Sequence, residues 1–322
     1  MDMENYVFDL VSSAFRKVAA GKSGNADILD FKVDEFRHLA ELAHDLVYGA
    51  YQHGVYAKFA VHDPKCRTIN TASIRDRIVH RLVYDALVPL FEPRFIYDSY
   101  AARVGKGVHR ARARFFKFAQ RASKNLREEV FVLHGDVVKY FESVDHEMLL
   151  DGLRRVCCDG WLMNLVESVV RSYGNGKGMP IGSVTSQLFA NVYLHELDRF
   201  MKHELGEDFY LRYNDDFFIL TSTKSRAPEL QTHISCWMRL NLKLNTTFSI
   251  SRTSSGIDVL GAVSFPYGFV PRAKTRQKID IMVSKTSLDS RDVRAVLSYL
   301  GSLDSMCGYW AQKRLLGVAG GL

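Results

Sequence analysis

The chain has 322 residues, 47% of them apolar, and a formal net charge of +7. Its length allows a large buried core, and its positive charge favours a polyanionic partner because neutralised phosphates release counterions. Five cysteines without paired spacing exclude a disulfide framework and a zinc site, and no run of ~18 apolar residues is present to span a membrane.

Helices and then strands are predicted at the start of the chain. The first helix is amphipathic and covers residues 6–20, a Gly-Ser-Asn break follows at 21–25, and a second helix covers 33–51. The strands cover 56–61 and 67–70 and are joined by a polar turn. The acidic N-terminus has no export signal, so a cytoplasmic protein without membrane association is expected.

Basic residues dominate the next predicted helix. With three phenylalanines interleaved, they would let this helix follow a nucleic-acid backbone. The alternative is a solvated helix face above a phenylalanine stripe in the core. The two interpretations have equal weight for any one residue, whereas the cluster favours nucleic acid. The basic residues are Arg103, Lys106, His109, Arg110, Arg112, Arg114, Lys117, Arg121, Lys124 and Arg127.

Two later segments place aspartates at the ends of strands. The apolar run 130–133 is typical of a buried strand, and a His-Gly-Asp sequence follows it, so Asp136 would lie at the carboxyl end. Residues 213–216 read Tyr-Asn-Asp-Asp between two apolar and aromatic runs, the pattern of two paired strands. Since neighbouring strand residues point to opposite faces, only a turn lets Asp215 and Asp216 approach one point.

These three aspartates are candidates for one metal centre. Two divalent ions held ~3.5–4 Å apart can lower the pKa of an attacking hydroxyl and neutralise a leaving pyrophosphate. That chemistry is nucleotidyl transfer. For an isolated Asp-Asp pair the alternative is a solvated turn, because turns favour aspartate.

The C-terminal part is predicted to be a strand pair followed by helices. The strand pair covers 257–265, and a basic run over 271–278 enters helical sequence. From 287 to 316 apolar residues recur at helical spacing, which predicts a small bundle. The tail over 317–322 is expected to be disordered.

Several motifs in this order resemble those of prokaryotic reverse transcriptases, from about Tyr56 to about Phe265. Because several motifs occur in the same order, the probability of chance agreement is very small. The motifs are the fingers blocks at 73–79 and 91–100, the first catalytic motif at 136–146, the template and nucleotide-pocket motif at 178–187 and the Tyr-x-Asp-Asp box at 213–216.

The subfamily is indicated by departures from group II intron enzymes. Those enzymes usually carry Gln at the position of Ile181 and Ser-Pro at the position of Ser186-Gln187. The Ser-Gln pair, with residues 97–100 and 105–111, resembles the reverse transcriptases of diversity-generating retroelements.

The resemblance implies further site residues. Phe141 lies where the family places a ring under the incoming sugar, which would select deoxynucleotides, and the carbonyl of Val137 would join the aspartates as a metal ligand. Asp145 more simply caps the helix that follows it. The residues expected to bind nucleotide are Lys65, Arg67, Arg75, Val137, Phe141, Ile181 and Gln187.

For two of these residues a specific role is predicted. Arg75 is the strongest candidate for the triphosphate because its planar donor fork matches phosphate oxygens, and a surface salt bridge is the alternative. Ile181 can only pack where a glutamine could hydrogen-bond, so error-prone synthesis is expected. The alternative for Ile181 is a pocket wall without effect on accuracy.

The resemblance implies an α+β fold of the right-hand polymerase kind, with a palm on an antiparallel sheet. The expected division is an N-terminal helical extension over 1–55, fingers over 56–130 with a contribution from 147–185, a palm over 131–265 and a short helical thumb over 266–322.

The implied function is RNA-directed DNA synthesis. The enzyme would extend a primer with deoxynucleotides on a structured template RNA, using two Mg²⁺ ions that Mn²⁺ can replace, and a small basic accessory variability protein would be its partner. The alternatives are a defence-type or domesticated reverse transcriptase and a noncatalytic RNA-binding scaffold with the same fold.

Two positions depart from the family pattern. The lysine usually found near Thr247 or Phe248 is absent, so Lys243 or another donor is expected to protonate the leaving pyrophosphate, or turnover is slow. Asn214 replaces a small or apolar residue, which leaves metal ligation intact and is expected to alter primer contacts.

Overall fold

The computed structural model describes residues 3–61, 67–284 and 290–303. Two compact units make up the chain, and each combines segments that are distant in sequence. The first comprises the residues up to Ile96, Val137–Phe200 and Trp237–Asn245, and the second comprises Tyr97–Asp136, Met201–Cys236 and the residues from Thr246 on.

The described helices precede, separate and follow the strands. In chain order they are α1 (Met3–Ala19), α2 (Ala26–Val33), α3 (Glu35–Val47), α4 (Ile74–Phe91), α5 (Val108–Ala122), α6 (Tyr140–Ser143), α7 (His146–Arg154), α8 (Gly160–Arg171), α9 (Val184–Tyr193), α10 (His195–Arg199), α11 (Arg226–Asn241), α12 (Ala273–Val283) and α13 (Ser290–Leu303). A π-helical turn, Phe200–Glu204, follows α10.

The described strands form three sheets. The sheets are a hairpin β1–β2, a four-stranded sheet in the order β4-β5-β3-β6, and a three-stranded sheet in the order β7-β8-β9. The strands are β1 (Ala57–Val61), β2 (Arg67–Thr71), β3 (Phe131–Val137), β4 (Tyr210–Tyr213), β5 (Asp216–Thr221), β6 (Thr246–Arg252), β7 (Ile257–Val259), β8 (Ala262–Phe265) and β9 (Gly268–Pro271).

The helix predicted over 33–51 corresponds to α3, and its predicted bounds were too wide because α3 begins at Glu35 and ends at Val47. Asp34 has φ −134° and ψ 48°, which interrupts the helical backbone between α2 and α3. Asn25 begins α2, since its side chain accepts a 3.2 Å hydrogen bond from the Ile28 N–H. The break at 21–25 was therefore predicted correctly, and the helix that directly follows it was missed.

Other sequence predictions are confirmed. Asp145 caps α7 by accepting a 3.2 Å hydrogen bond from the Met148 N–H. The strand pair expected over 257–265 is β7–β8, and the strands predicted before and after residues 62–66 are β1 and β2. The helical pattern from 287 is confirmed over α13, whereas the tail over 317–322 lies outside the described residues.

The core of the second unit lies between α5 and its sheets. Phe115 and Phe118 of α5 are fully buried, and the ring of Phe115 meets that of Phe218 on β5 edge-on at 5.6 Å. Val132 on β3 and Leu220 on β5 complete this contact. The phenylalanine stripe of α5 therefore packs in the core, as one of the two interpretations of this helix required.

The described cysteines Cys157, Cys158 and Cys236 are free thiols. Within the described ranges, every helix is too short or too polar to cross a bilayer.

Candidate active site

The Tyr-Asn-Asp-Asp sequence forms the turn between β4 and β5. Tyr213 and Asp216 are cross-strand partners, so Asn214 and Asp215 are the two residues of the turn. Asn214 has a φ of 57°, in the left-handed region that asparagine tolerates better than most residues. The predicted hairpin is therefore confirmed, and so is the reason for asparagine at this position.

Asp136 lies beside this turn. It is the antiparallel partner of Asp216 in the β3–β5 pair, and the Cβ atoms of such partners are about 4.5–5.5 Å apart. The charges of both residues also act on the carboxyl group of Asp215. The second unit thus brings the three predicted aspartates together at one end of its four-stranded sheet, and their catalytic role stays a prediction.

The electrostatics of this end of the sheet favour a cation. Burial raises the pKa of the Asp215 carboxyl above its usual value, and the charges of Asp216 and Asp136 raise it further. Hydrogen bonds oppose this effect, one from the Asp215 backbone N–H and one of 2.9 Å from Asn214 Nδ2. A positive charge here would stabilise the ionised carboxylates.

In the described part of the chain, no group of three or more His, Cys, Asp or Glu side chains is arranged as a metal cluster. The donor set nevertheless fits a hard divalent cation, because carboxylate oxygens are its preferred ligands and three carboxylates repel one another at this point. The residues present are therefore compatible with the metal centre that the sequence predicts.

His134 contacts the site and was given no role by the sequence analysis. Its Nε2 lies 2.9 Å from Oδ1 of Asp216, and its ring stacks on Phe218 with centroids 4.5 Å apart and planes 6° apart. Since strand residues alternate, His134 shares a face of β3 with Asp136 two residues later. That spacing was the sequence signal for this contact.

Gly135 lets β3 and β5 approach on the opposite face. It is the cross-strand partner of Phe217, and a Cβ atom on Gly135 would lie 2.2 Å from that ring. Any side chain here would force the Phe217 ring out of its place. The glycine therefore allows this ring to pack over β3 beside the pair of Asp136 and Asp216.

Arg212 supports the turn from inside the unit. Its side chain is fully buried, and it donates 3.0 Å to the carbonyl of Asn214 and 3.3 Å to the hydroxyl of Ser99. The backbone of Arg212 also pairs with Asp98 and Tyr100 on either side of Ser99. Sequence reasoning missed this support, because a single arginine in a strand shows no pattern.

The arginines of α5 divide into structural and exposed ones. Arg112 is buried and donates to the carbonyl of Leu260, and Arg114 forms a two-point ion pair with Asp98 at 2.7 and 3.2 Å. These two residues are therefore structural. Exposed basic side chains on the same helix remain candidates for nucleic-acid contact, namely His109, Arg110, Lys117 and Arg121.

The residues predicted to bind nucleotide belong to the first unit, as far as the structure describes them. Val137 is buried at the end of β3, Phe141 is half-buried in α6, Ile181 is half-buried before α9 and Gln187 is exposed on α9. Arg67 lies on β2. Lys65 lies outside the described residues. Their role in binding nucleotide stays a prediction.

Two residues with predicted catalytic or binding roles form ion pairs within the first unit. Arg75 donates to the carboxylate of Asp45, and its guanidinium lies 5.8 Å from the centre of the Tyr51 ring. Lys243, the proposed substitute for the missing lysine, is 2.7 Å from the Asp145 carboxylate. The salt bridge considered as the alternative for Arg75 is therefore present in the structure.

Residues 61–262 match the family described as "Reverse transcriptase (RNA-dependent DNA polymerase)". Protein YkfC of Escherichia coli is 31% identical over 148 residues, which cover 44% of this chain and 38% of that protein. The group II intron-encoded protein LtrA of Lactococcus lactis is 23% identical over 207 residues, which cover 60% of this chain and 33% of LtrA. The matches thus span less than two fifths of these relatives.

The fold resembles that of a solved structure, telomerase from Candida albicans in complex with a fragment of telomeric RNA. The TM-score is 0.51 at 10% identity, and the match covers 83% of this chain and 55% of that one. Together with the mixed helices and antiparallel sheets, this likeness confirms the predicted α+β fold of the right-hand polymerase kind.

Proposed function

Because this chain belongs to the reverse transcriptase family, we propose that it is an RNA-directed DNA polymerase that copies a template RNA into cDNA. The observation that carries this proposal is the meeting of Asp136, Asp215 and Asp216 at one end of the four-stranded sheet. Its substrates are a primer, a template RNA and deoxynucleoside triphosphates.

In the proposed reaction the 3′-hydroxyl of the primer attacks the α-phosphorus of the incoming nucleotide, and pyrophosphate leaves. Two Mg²⁺ ions, which Mn²⁺ can replace, would supply the charge that activates the hydroxyl and stabilises the pyrophosphate. Asp136, Asp215, Asp216 and the carbonyl of Val137 would hold them. Divalent-metal use is general in this family.

Residues of the chain itself prepare this chemistry. The contact of His134 with Asp216 orients one carboxylate, and the bond from Arg212 to the Asn214 carbonyl fixes the turn that carries Asp215. Preorganised ligands of this kind lose less freedom on binding a cation. Phe141 would exclude a 2′-hydroxyl and so select deoxynucleotides.

Primer extension on an RNA template tests the proposal. Replacing both turn carboxylates, Asp215→Asn with Asp216→Asn, is expected to abolish incorporation while RNA binding in a filter assay stays unchanged. Asp208→Asn, at an exposed aspartate just before β4, is the matched control and should retain activity. Extension by the double variant would contradict the polymerase assignment and favour the noncatalytic scaffold.

We further propose that synthesis is error-prone and serves a diversity-generating retroelement. The support is Ile181, an apolar residue in the motif expected to contact the nucleotide. Ile181→Gln is expected to lower the error frequency in sequenced cDNA, whereas Ile250→Gln, at an exposed position on β6, should leave it unchanged. An error spectrum that Ile181→Gln does not alter would contradict this role.

A basic accessory protein is proposed as the partner of the N-terminal helices. The first 50 residues carry nine acidic and five basic residues, in a chain whose net charge is +7. Between α1 and α3 lies a cavity of about 560 Å³ lined by Glu4, Phe8, Phe36, Glu41 and Asp45, among other residues. Asp45 is ion-paired with Arg75, and Glu4 lies 3.1 Å from Nδ1 of His44. Glu41 and the two phenylalanines are therefore the part of this groove that suits a basic, partly apolar surface.

Binding to a small basic protein encoded beside this gene tests the partner. Phe36→Ser combined with Glu41→Lys is expected to weaken that binding at least about tenfold, since both apolar and charge complementarity are lost. Glu204→Lys, at an exposed position of the second unit, is the charge-matched control. Equal affinity of the double variant and the control would place the partner elsewhere.

A further inference from the structure

A series of hydrogen-bonded polar side chains lies inside the first unit and ends at Ser183, two residues after Ile181. At its centre is His80 of α4, which is 2% exposed. His80 Nδ1 lies 2.7 Å from the Thr185 hydroxyl and 3.0 Å from the Ser183 hydroxyl. On its other side, His80 Nε2 lies 3.0 Å from Nε2 of His53.

The partner atoms determine where the protons are. His53 Nδ1 lies 2.7 Å from the Gly54 carbonyl, which can only accept, so this nitrogen carries the hydrogen. In a neutral His53 the Nε2 atom is then an acceptor, so His80 Nε2, which also lies 3.3 Å from the Tyr56 hydroxyl, donates to it. His80 Nδ1 therefore accepts from a hydroxyl of Thr185 or Ser183. Burial lowers the pKa of His80 to about 4, in keeping with a neutral ring.

Ser183 indicates that these hydrogen-bonded side chains do more than fill the core. It occupies the N-cap position of α9, where a serine hydroxyl usually accepts from the backbone of the helix. Here the side chain makes no such bond, because it lies 3.0 Å from His80 and 2.8 Å from the Thr185 hydroxyl. The usual helix cap is thus replaced by contact with a histidine from another helix.

The residues before Ser183 also contact strand β2. Gly182 has a φ of 113°, and a Cβ atom there would lie 3.0 Å from the Ile69 side chain. The carbonyl of Ile181 accepts a 3.0 Å hydrogen bond from the N–H of Asn70 on β2. The loop from Ile181 to Ser183 is therefore clamped between the β2 backbone and the His80 side chain.

We propose that His80 is a positioning residue that sets the conformation of the loop from Ile181 to Ser183, and through it the discrimination between correct and incorrect nucleotides. This inference rests on the proposed function, in which Ile181 faces the nucleotide. His80 makes no contact with substrate. It acts through the hydroxyls of Ser183 and Thr185. Only a neutral ring whose Nδ1 is an acceptor can accept a hydrogen bond from them.

Steady-state primer extension by the full chain, with correct and incorrect nucleotides, tests this role. His80→Leu and Thr185→Val are each expected to raise the nucleotide KM about tenfold, the factor for one lost buried hydrogen bond, with kcat within about twofold of the wild-type value. The ratio of incorrect to correct incorporation should change in both. His80→Gln, whose amide both accepts and donates, should restore most of the loss.

Tyr193→Phe is the matched control. It removes a buried hydroxyl from α9 that bonds the Leu242 carbonyl at 2.8 Å, away from His80. It should lower thermal stability without moving KM or the error ratio. Folded His80→Leu and Thr185→Val variants with wild-type KM and error ratio would overturn the proposal.

Amide hydrogen exchange separates failure of this inference from failure of the proposed function. His80→Leu is expected to speed exchange of residues 180–186, and Tyr193→Phe is not. Unchanged exchange in His80→Leu overturns the inference even if the wild-type chain polymerises. A wild-type chain without polymerase activity on any primed RNA overturns the proposed function, whatever the exchange result.

Discussion

His134 holds one oxygen of Asp216 at 2.9 Å and lies flat on the ring of Phe218. The stacked ring keeps the imidazole in place, and the imidazole in turn limits the rotamers of the carboxylate. A residue that contacts a metal ligand in this way affects the metal indirectly. At the scale of single residues, His134 is thus the contact most closely tied to the proposed centre.

Replacing His134 by alanine is expected to lower the extension rate roughly 10–100-fold and to raise the Mg²⁺ concentration for half-maximal rate, since residues that orient metal ligands have effects of this size. A Mg²⁺ titration of primer extension measures both quantities. His233→Ala, at an exposed histidine of α11, is the control. An unchanged Mg²⁺ dependence in His134→Ala would remove His134 from the site.

The β3–β5 pair is the element that decides whether the aspartates meet. Asp136 is opposite Asp216 only in the observed register, and a shift by one residue would turn one of them to the other face of the sheet. Gly135 and Phe217 form the neighbouring cross-strand pair, in which the Phe217 ring lies over Gly135 where a side chain would otherwise be. A side chain at position 135 would therefore disturb the packing directly beside the two carboxylates.

Gly135→Ala is expected to destabilise the protein by about 1–3 kcal/mol, because an overpacked core position forces its neighbours to move. Urea unfolding measures this change, and polymerase activity should fall with it. Gly152→Ala on α7, where an added Cβ would lie 3.8 Å from Val192, should be neutral or stabilising by up to about 1 kcal/mol. Equal stability of the two variants would contradict this account of the strand pair.

At the scale of the whole molecule, stability depends on pH through buried groups such as His80. Burial is the main reason that its pKa falls to about 4, the neighbouring His53 lowers it further, and Asp76 opposes both. The unfolded chain binds a proton near the ordinary histidine pKa of 6.5, whereas the folded chain does not. Stability is therefore lost as the pH falls below about 6.5.

This contribution can be measured against His80→Gln, which has no imidazole to protonate. Between pH 7.5 and pH 5.0, the wild-type protein is expected to lose about 2 kcal/mol more of its free energy of unfolding than the variant, since each unit of pKa difference is worth about 1.36 kcal/mol. Urea unfolding at both values provides the comparison. Parallel losses in the two proteins would show that His80 titrates normally in the folded state.

Much of the fold was predictable because its signals are local. The apolar run before Asp136, the asparagine at the turn and the aspartate before α7 each act within a few residues of themselves. The short helix α2 was not predicted, because the Gly-Ser-Asn run before it was interpreted only as a break and not as a helix cap at Asn25. A helix of only eight residues also leaves little room for an amphipathic pattern to show.

The order of residues alone is enough to predict the chemistry available to this protein: three aspartates at strand ends and a turn, in the order of a reverse transcriptase, with a basic helix between the motifs. The partners of those groups depend instead on how distant segments pack. This packing paired Arg75 with Asp45 and brought His134 to Asp216, and it diverted Ser183 from its helix cap to His80. The physical reason is range, since turns and caps depend on near neighbours, whereas buried polar groups take whichever partner the packing of distant segments brings within hydrogen-bond distance.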